Sequence, residues 1–429
     1  MNMKQMSTSG GELSVVEIEG RGRALVATQS LRAGQIILRD SPILLYSAFP
    51  LFPSSATSSS CNCYCDYCFK TLQASSSSST SINPCPECSV HLFCSPKCLT
   101  AARSSSHSPW VCESLRRLRD CPSLLPQQPL ECQVQARFLL AAYNLALVSP
   151  SHFQTLLTLQ GQRSCLNSTD SIATSAQFLH SLISSLCTPP PPPQIPLPQE
   201  GWFSIELSAT LLAKDKLNAF GLMEPVSEDG HRSVRAYGIY PKASFFNHDC
   251  LPNACRFDYV DTNPGPYNTD IIVRMIHDVP QGREICLSYF PVNENYPNRQ
   301  RRLMEDYGFT CHCDRCKVEA NWSDNDDDDD DALDVEQEEE EVMDEDTDQQ
   351  MEAASESGNE DGGQADSDFP HAYFFLRYMC SRNNCGGTLA PLPPTGDSSS
   401  NIMECNVCGN LKNDDGVGGD GKGELSMDE

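Results

Sequence analysis

The chain has 429 residues, with 58 Asp and Glu against 30 Lys and Arg and a formal net charge of −28. Residues 324–368 hold 23 of those acids and no Lys or Arg, so the remainder is close to neutral and offers no dominant basic face for sequence-specific DNA binding. The longest apolar stretch, residues 138–148, is interrupted by Tyr143 and Asn144 and is too short to span a bilayer, and the polar N-terminus lacks a signal-peptide pattern.

In chain order, residues 13–19, 24–28 and 36–46 are short β-branched runs separated by Gly20-Arg21-Gly22-Arg23 and Arg32-Ala33-Gly34, which predicts an antiparallel meander. Serine-rich segments at 54–60 and 75–81 surround and interrupt a cysteine-rich stretch and read as loops. Apolar residues recur at helical spacing from Glu131 to about Ser149, then through 170–187 and 205–217, so this region is mainly helical. Five prolines at 189–193 form an extended spacer, since they neither donate backbone hydrogen bonds nor continue a helix. After Val234 strands return: Asp270 to Ile276 is a buried strand, Pro280-Gln281-Gly282 a turn, and Glu284 to Tyr289 the returning strand. Residues 298–306 form a short charged helix. The acidic run that follows cannot bury apolar area and reads as a disordered tether, and residues 369–412 as a small separate module.

Twenty-three cysteines would suit a disulfide scaffold, but they fall in C-x2-C pairs interleaved with histidine, which points to zinc in a reducing compartment. The expected location is therefore intracellular, cytoplasmic or nuclear. Cys65, Cys68, Cys85, Cys88, Cys94, Cys98, His107 and Cys112 are eight ligands in under fifty residues, enough for two closed structural sites. Such a segment has too few aliphatic residues for a core, so metal binding would supply its folding energy. Cys61 and Cys63 are rival ligands. Cys311, Cys313 and Cys316 cannot complete a tetrahedral site alone, and Cys250 in Asn247-His248-Asp249-Cys250-Leu251-Pro252-Asn253 is the best-placed fourth thiolate. Cys380, Cys385, Cys405 and Cys408 form a zinc-ribbon-like set; the alternative is an unmetallated surface module. No dinucleotide-type glycine motif, Ser-His-Asp set or open metal site is present, which disfavours hydrolysis and a Rossmann cofactor.

The asparagine-histidine-cysteine-proline turn and the later C-x-C-x2-C together resemble the core and post-SET elements of SET-domain lysine methyltransferases. Residues 11–320 are similar to the SET-and-MYND family, plant members in particular. The resemblance implies an α+β SET fold with segments at 11–60 and 226–292, a MYND finger at 61–115, a helical insert at 116–225 and a post-SET clip at 293–320. An acidic linker at 321–368, the zinc-ribbon-like module at 369–412 and a flexible tail at 413–429 complete the chain. In the finger it implies that Cys65, Cys68, Cys94 and Cys98 share one zinc, and Cys85, Cys88, His107 and Cys112 the other.

The same resemblance implies S-adenosylmethionine held by Gly22, Arg23, Asn218, Ser244, Asn247, His248 and Phe309, with Tyr289 as the catalytic tyrosine at that site and Tyr307 lining the lysine channel. Taken alone, Tyr289 and Phe309 are also ordinary core aromatics, His248 a buried histidine, Asn218 a helix cap and Arg23 a solvated charge. The implied activity is methylation of a protein lysine, histone above all, in the nucleus at chromatin, with the cytoplasm as an alternative. The other reading is a zinc-built transcriptional adaptor that binds Pro-rich partners beside a silent SET domain. A monomer without membrane attachment is expected, and the acidic linker could dock basic partners such as histones.

Overall fold

The computed structural model describes residues 11–52, 63–72, 82–120, 125–161, 171–190, 201–226, 232–262, 268–321, 371–383, 385–394 and 400–414. The two serine-rich segments, most of the proline run, Cys61, the acidic stretch and the tail beyond 414 lie outside them. Among the described residues no helix is long and apolar enough to cross a membrane.

The chain opens with β1 (Leu13–Ile18) and β2 (Gly22–Ala27), an antiparallel pair that registers Leu13 with Ala27 and Ile18 with Gly22. Gly20 and Gly22 sit at φ of +75° and +70°, backbone that a side chain would strain, and so close this turn. The predicted meander stops there. The 36–46 run splits at Ser41-Pro42 into β3 (Ile36–Asp40) and β4 (Leu44–Ser47), which join different sheets. Pro42 cannot donate to a ladder, and Asp40 turns the chain by accepting the backbone N–H groups of Lys242 and Ala243 at 2.8 and 2.9 Å.

A cysteine-rich lobe follows, with two-residue strands β5 (Cys63–Tyr64), β6 (Thr71–Leu72), β7 (Asn83–Pro84) and β8 (Leu92–Phe93) and helices α1 (Pro96–Arg103) and α2 (Pro109–Arg119). Each helix starts on Ser-Pro: the hydroxyls of Ser95 and Ser108 accept the N–H groups of Cys98 and Val111, and proline fills the first turn, where no donor is needed.

The helical insert then comprises α3 (Leu130–Val148), α4 (Pro150–Thr158), α5 (Ser171–Leu186) and α6 (Ile205–Asn218), as the apolar spacing predicts. Its core joins Phe138, Tyr143, Phe153, Leu179 and Leu211 to Leu44 and Ile239 of the sheets.

Next come β9 (Ala219–Met223), β10 (Val234–Ile239), β11 (Asn247–His248), β12 (Ala254–Asp258), β13 (Ile271–Met275) and β14 (Cys286–Leu287). β10 lies between β4 and β9, and β13 between β12 and β3. The expected hairpin between 270–276 and 284–289 is absent. Gly282 and Ile285 instead donate to Ala27 and Leu25 at 2.8 Å, and β14 pairs in parallel with β11. The 280–282 turn therefore closes against the N-terminal strands. After α7 (Tyr296–Arg302) and a π-helical turn at Leu303–Tyr307 comes the short helix α8 (Asp314–Glu319).

The C-terminal residues, α9 (Ala372–Tyr378) with β15 (Leu389–Pro391), β16 (Ile402–Cys405) and β17 (Leu411–Asn413), are not a separate module. Phe374, Tyr378, Leu389, Ala390 and Met403 share one buried cluster with Phe257, Ile272 and Ile276 of β12, β13 and the residue following it. The outer sheet face is apolar, and burying it outweighs the independence that composition suggested. Across this contact Arg274, 3 % exposed, meets Glu404 at 2.9 Å and lies 3.9 Å from the centre of the Phe257 ring. Tyr259 donates its hydroxyl to the same carboxylate at 3.0 Å. Glu404→Ala leaves this guanidinium buried and unpaired and should lower unfolding free energy by ~3–5 kcal/mol in urea titration, whereas Arg274→Met with Glu404→Leu together should cost much less.

Candidate active site and metal centres

Among the described residues four groups of thiol and imidazole side chains converge, and within each the ligand atoms lie within 4.8 Å of one another. Cys65, Cys68, Cys94 and Cys98 form one; Cys85, Cys88, His107 and Cys112 the second; Cys250, Cys311, Cys313 and Cys316 the third; Cys380, Cys385, Cys405 and Cys408 the fourth. Cys63 is exposed and in none of them. Sulfur spacings run from 3.5 Å (Cys94–Cys98, Cys250–Cys316, Cys385–Cys405) through 3.7 Å (Cys68–Cys94, Cys380–Cys408) to 3.9 Å (Cys85–Cys112, Cys250–Cys311). A tetrahedron with zinc–sulfur arms of about 2.3 Å has edges of about 3.8 Å, so the residues present fit that ion. Burial pushes the His107 imidazole down to about 4, which keeps it in the neutral form that a metal ligand needs.

The third group organises the surroundings of Tyr289. Fully buried Arg299 donates to Cys250 Sγ at 3.3 Å, to Cys316 Sγ at 3.6 Å and to Glu319 at 2.5 Å, placing positive charge against the thiols. His248 Nδ1 accepts the Tyr289 backbone N–H at 3.2 Å; that partner assigns the ring proton to Nε2, which faces Cys250 Sγ at 3.3 Å. Desolvation by burial pushes this imidazole down to about 3, so it stays neutral and serves as a link between tyrosine and cysteine. The Tyr289 hydroxyl donates to the Phe246 carbonyl at 2.9 Å. Its ring centre lies 4.7 Å from that of Tyr307, and Tyr307 lies 6.4 Å from Phe309, making a run of three aromatics. Burial first, then neighbouring Tyr307, pushes the Tyr289 phenol well above its ordinary value.

The other expected residues lie around this run. The Asn247 amide donates to Glu284 at 2.8 Å, and Glu284 also pairs with Arg21 at 3.2 Å. Arg21 in turn donates to the His248 carbonyl at 3.0 Å. Arg23 donates to the Thr158 carbonyl at 3.1 Å and lies 4.8 Å over the Phe245 ring, next to Ser244, whose hydroxyl donates to Tyr240 O at 2.9 Å. A Cβ on Gly22 would meet the Gln160 amide at 3.3 Å. Asn218 ends α6 and spends its amide on the carbonyls of Gln160 and Lys214, at 2.9 and 2.7 Å.

Sequence reasoning missed Arg21, Glu284 and Arg299. Arg21 was legible as the middle of Gly20-Arg21-Gly22, whereas nothing local marks a buried Arg299. A cleft of about 520 Å³, lined by Arg21, Asp249, Glu284, Cys286 and Cys313 among others, opens beside this cluster. None of the residues expected to hold a cofactor lines it.

Residues 22–290 match the SET domain family, and the chain belongs to it. It is 56% identical over 412 residues to Histone-lysine N-methyltransferase ASHR2 of Arabidopsis thaliana, across 94% of this chain and 96% of that protein. It is also 22% identical over 313 residues to Histone-lysine N-methyltransferase SMYD3 of Homo sapiens, across 71% of this chain and 61% of that one. Histone-lysine N-methyltransferase ASHR1 of Arabidopsis thaliana is 22% identical over 316 residues, across 71% and 55% of the two chains.

Helix α6, which ends in Asn218, also carries Asp215, whose carboxylate accepts the Tyr46 hydroxyl at 2.5 Å. Burial pushes this carboxyl up to about 7, against about 4 in an unfolded chain. The folded state therefore favours the protonated form: its contribution is whole below pH 4 and drains as pH climbs through 7. Asp215→Asn should lack that component, so melting temperature measured from pH 4 to 7 should fall in the parent relative to the variant.

Proposed function

We propose that this chain methylates the ε-amine of a protein lysine, with histone as the acceptor and the nucleus as its place of action. The observation that carries the reading is the Tyr289 phenol, held by Phe246 at one end of an aromatic run and anchored through His248 to the four-cysteine knot. The near full-length likeness to a plant protein named as a histone-lysine methyltransferase supports it. No observation favours the adaptor reading.

S-adenosylmethionine, when bound, supplies a methyl group on a sulfonium sulfur that a neutral amine displaces in line. Gly22, Arg23, Asn218, Ser244, Asn247, His248 and Phe309 would hold it; three aromatics beside backbone and carboxylate groups suit a cationic sulfur with a polar tail. Free lysine titrates near 10.4, and the apolar walls of Tyr289 and Tyr307 lower that value by desolvating the ammonium. The raised Tyr289 phenol stays protonated at neutral pH, so it is not a base. With its proton committed to Phe246, its oxygen is left as an acceptor that orients the amine and stabilises the positive charge of the reacting centre. Alignment and water exclusion then account for most of the acceleration.

The four side-chain groups would each hold a closed structural zinc. The lobe around residues 61–115 serves as a MYND-type finger that engages Pro-rich peptides on an otherwise monomeric enzyme.

With isotope-labelled cofactor and a histone mixture, Tyr289→Phe should transfer methyl about 100-fold more slowly than the parent at unchanged zinc content; equal rates would defeat the catalytic assignment. Native mass spectrometry should count four zinc ions per chain, and Cys250→Ala should remove one of them together with cofactor binding by calorimetry.

A further inference from the structure

The C-terminal strands reach the segment that follows Tyr289. Gly386, next to Cys385, sits at φ +57°, and a Cβ there would lie 2.6 Å from Asn293 Oδ1 and 2.9 Å from Pro291 Cβ. Val292 is buried in the same cluster as Phe374, Tyr378 and Cys385. Arg315, between Cys313 and Cys316, donates to the carbonyls of Val292 and Glu294 at 2.7 and 3.0 Å. The guanidinium of Arg315 lies 4.6 Å from the centre of the Phe375 ring of α9. Residues 291–294 are thus gripped between two four-cysteine groups. The gripping unit itself is small: its three strands are three to four residues long. Its turn is tight as well, since a Cβ on Gly387 would lie 2.5 Å from Cys405 Sγ. With so little regular structure of its own, the unit relies on the core it shares with β12 and β13, and a metal on its four thiols would fix its turns.

We propose that Cys380, Cys385, Cys405 and Cys408 hold a zinc ion that sets residues 291–294, and through them the Tyr289 phenol. The C-terminal unit is then a working part of the active site, with Gly386, Phe375 and Arg315 as positioning residues. This rests on the methyl-transfer reading above.

The test uses the full chain and three variants. Cys405→Ser should lower the zinc count by one in native mass spectrometry and speed amide hydrogen exchange across 289–294. Its kcat should fall about tenfold or more while KM for the cofactor moves less than about threefold. Gly386→Ala should keep every zinc ion yet show the same kcat-selective loss, because the added methyl pushes on Pro291 and Asn293. Phe375→Leu, which keeps the apolar contact but loses the ring under Arg315, should keep every zinc ion and show a kcat between those of the parent and of Gly386→Ala. Loss of a zinc ion from Cys405→Ser with unchanged exchange and kcat would overturn the proposal, as would an unchanged zinc count. Should the parent transfer no methyl group at all, the functional reading fails, while zinc count and exchange in 289–294 still decide this one.

Discussion

The sulfur knot of Cys250, Cys311, Cys313 and Cys316 is the constraint on which the site depends. It joins the turn after β11 to a segment about sixty residues later, and everything placed around Tyr289 refers to one of its two ends. On the near side, His248 spans from Cys250 to the Tyr289 backbone. On the far side, the stretch leading into the same segment delivers Tyr307 to the tyrosine ring, with Phe309 next to Tyr307. Four thiolates around one zinc would carry excess negative charge, which buried Arg299, itself paired with Glu319, would offset. Remove the knot and both the aromatic run and the guanidinium lose their reason to be where they are.

Around that knot the site is built from groups whose titration has been taken away. His248 is held neutral and Tyr289 protonated by the same desolvation, so near neutral pH neither is available as a proton carrier. What remains beside them is fixed dipoles, apolar walls and the Glu284 carboxylate, shared between Asn247 and Arg21. That inventory suits chemistry in which alignment and charge stabilisation count for more than proton transfer.

Much of this was legible in the sequence because it is local. Ligand spacing in C-x2-C pairs, helical periodicity from 131 to 217 and the Asn247-to-Asn253 turn each state their structure within a short window. Strand partnership is not local. The 36–46 run looks continuous by composition, yet Pro42 divides it between sheets whose other members lie far along the chain. The 284–289 run looks like half a hairpin, yet its hydrogen bonds go to residues 25–27 and 247–248. Residues 369–412 look autonomous because an acidic stretch precedes them, and only the apolar outer face of β12 and β13 reveals where they belong. Arg299 and Arg315 were invisible for a similar reason: burial of a charge is set by partners that a linear reading cannot see.

The pairing of β3 and β4 has a consequence for how the molecule comes into being. Leu38 faces Val273 and Tyr46 faces Tyr237, so the first two hundred residues off a ribosome contain strands with nothing to pair with. At about 5–20 residues per second their partners emerge on the order of ten seconds or more later. The nascent N-terminal half must wait with the backbone edges of β3 and β4 unpaired, and its survival depends on whatever shields those edges until translation catches up.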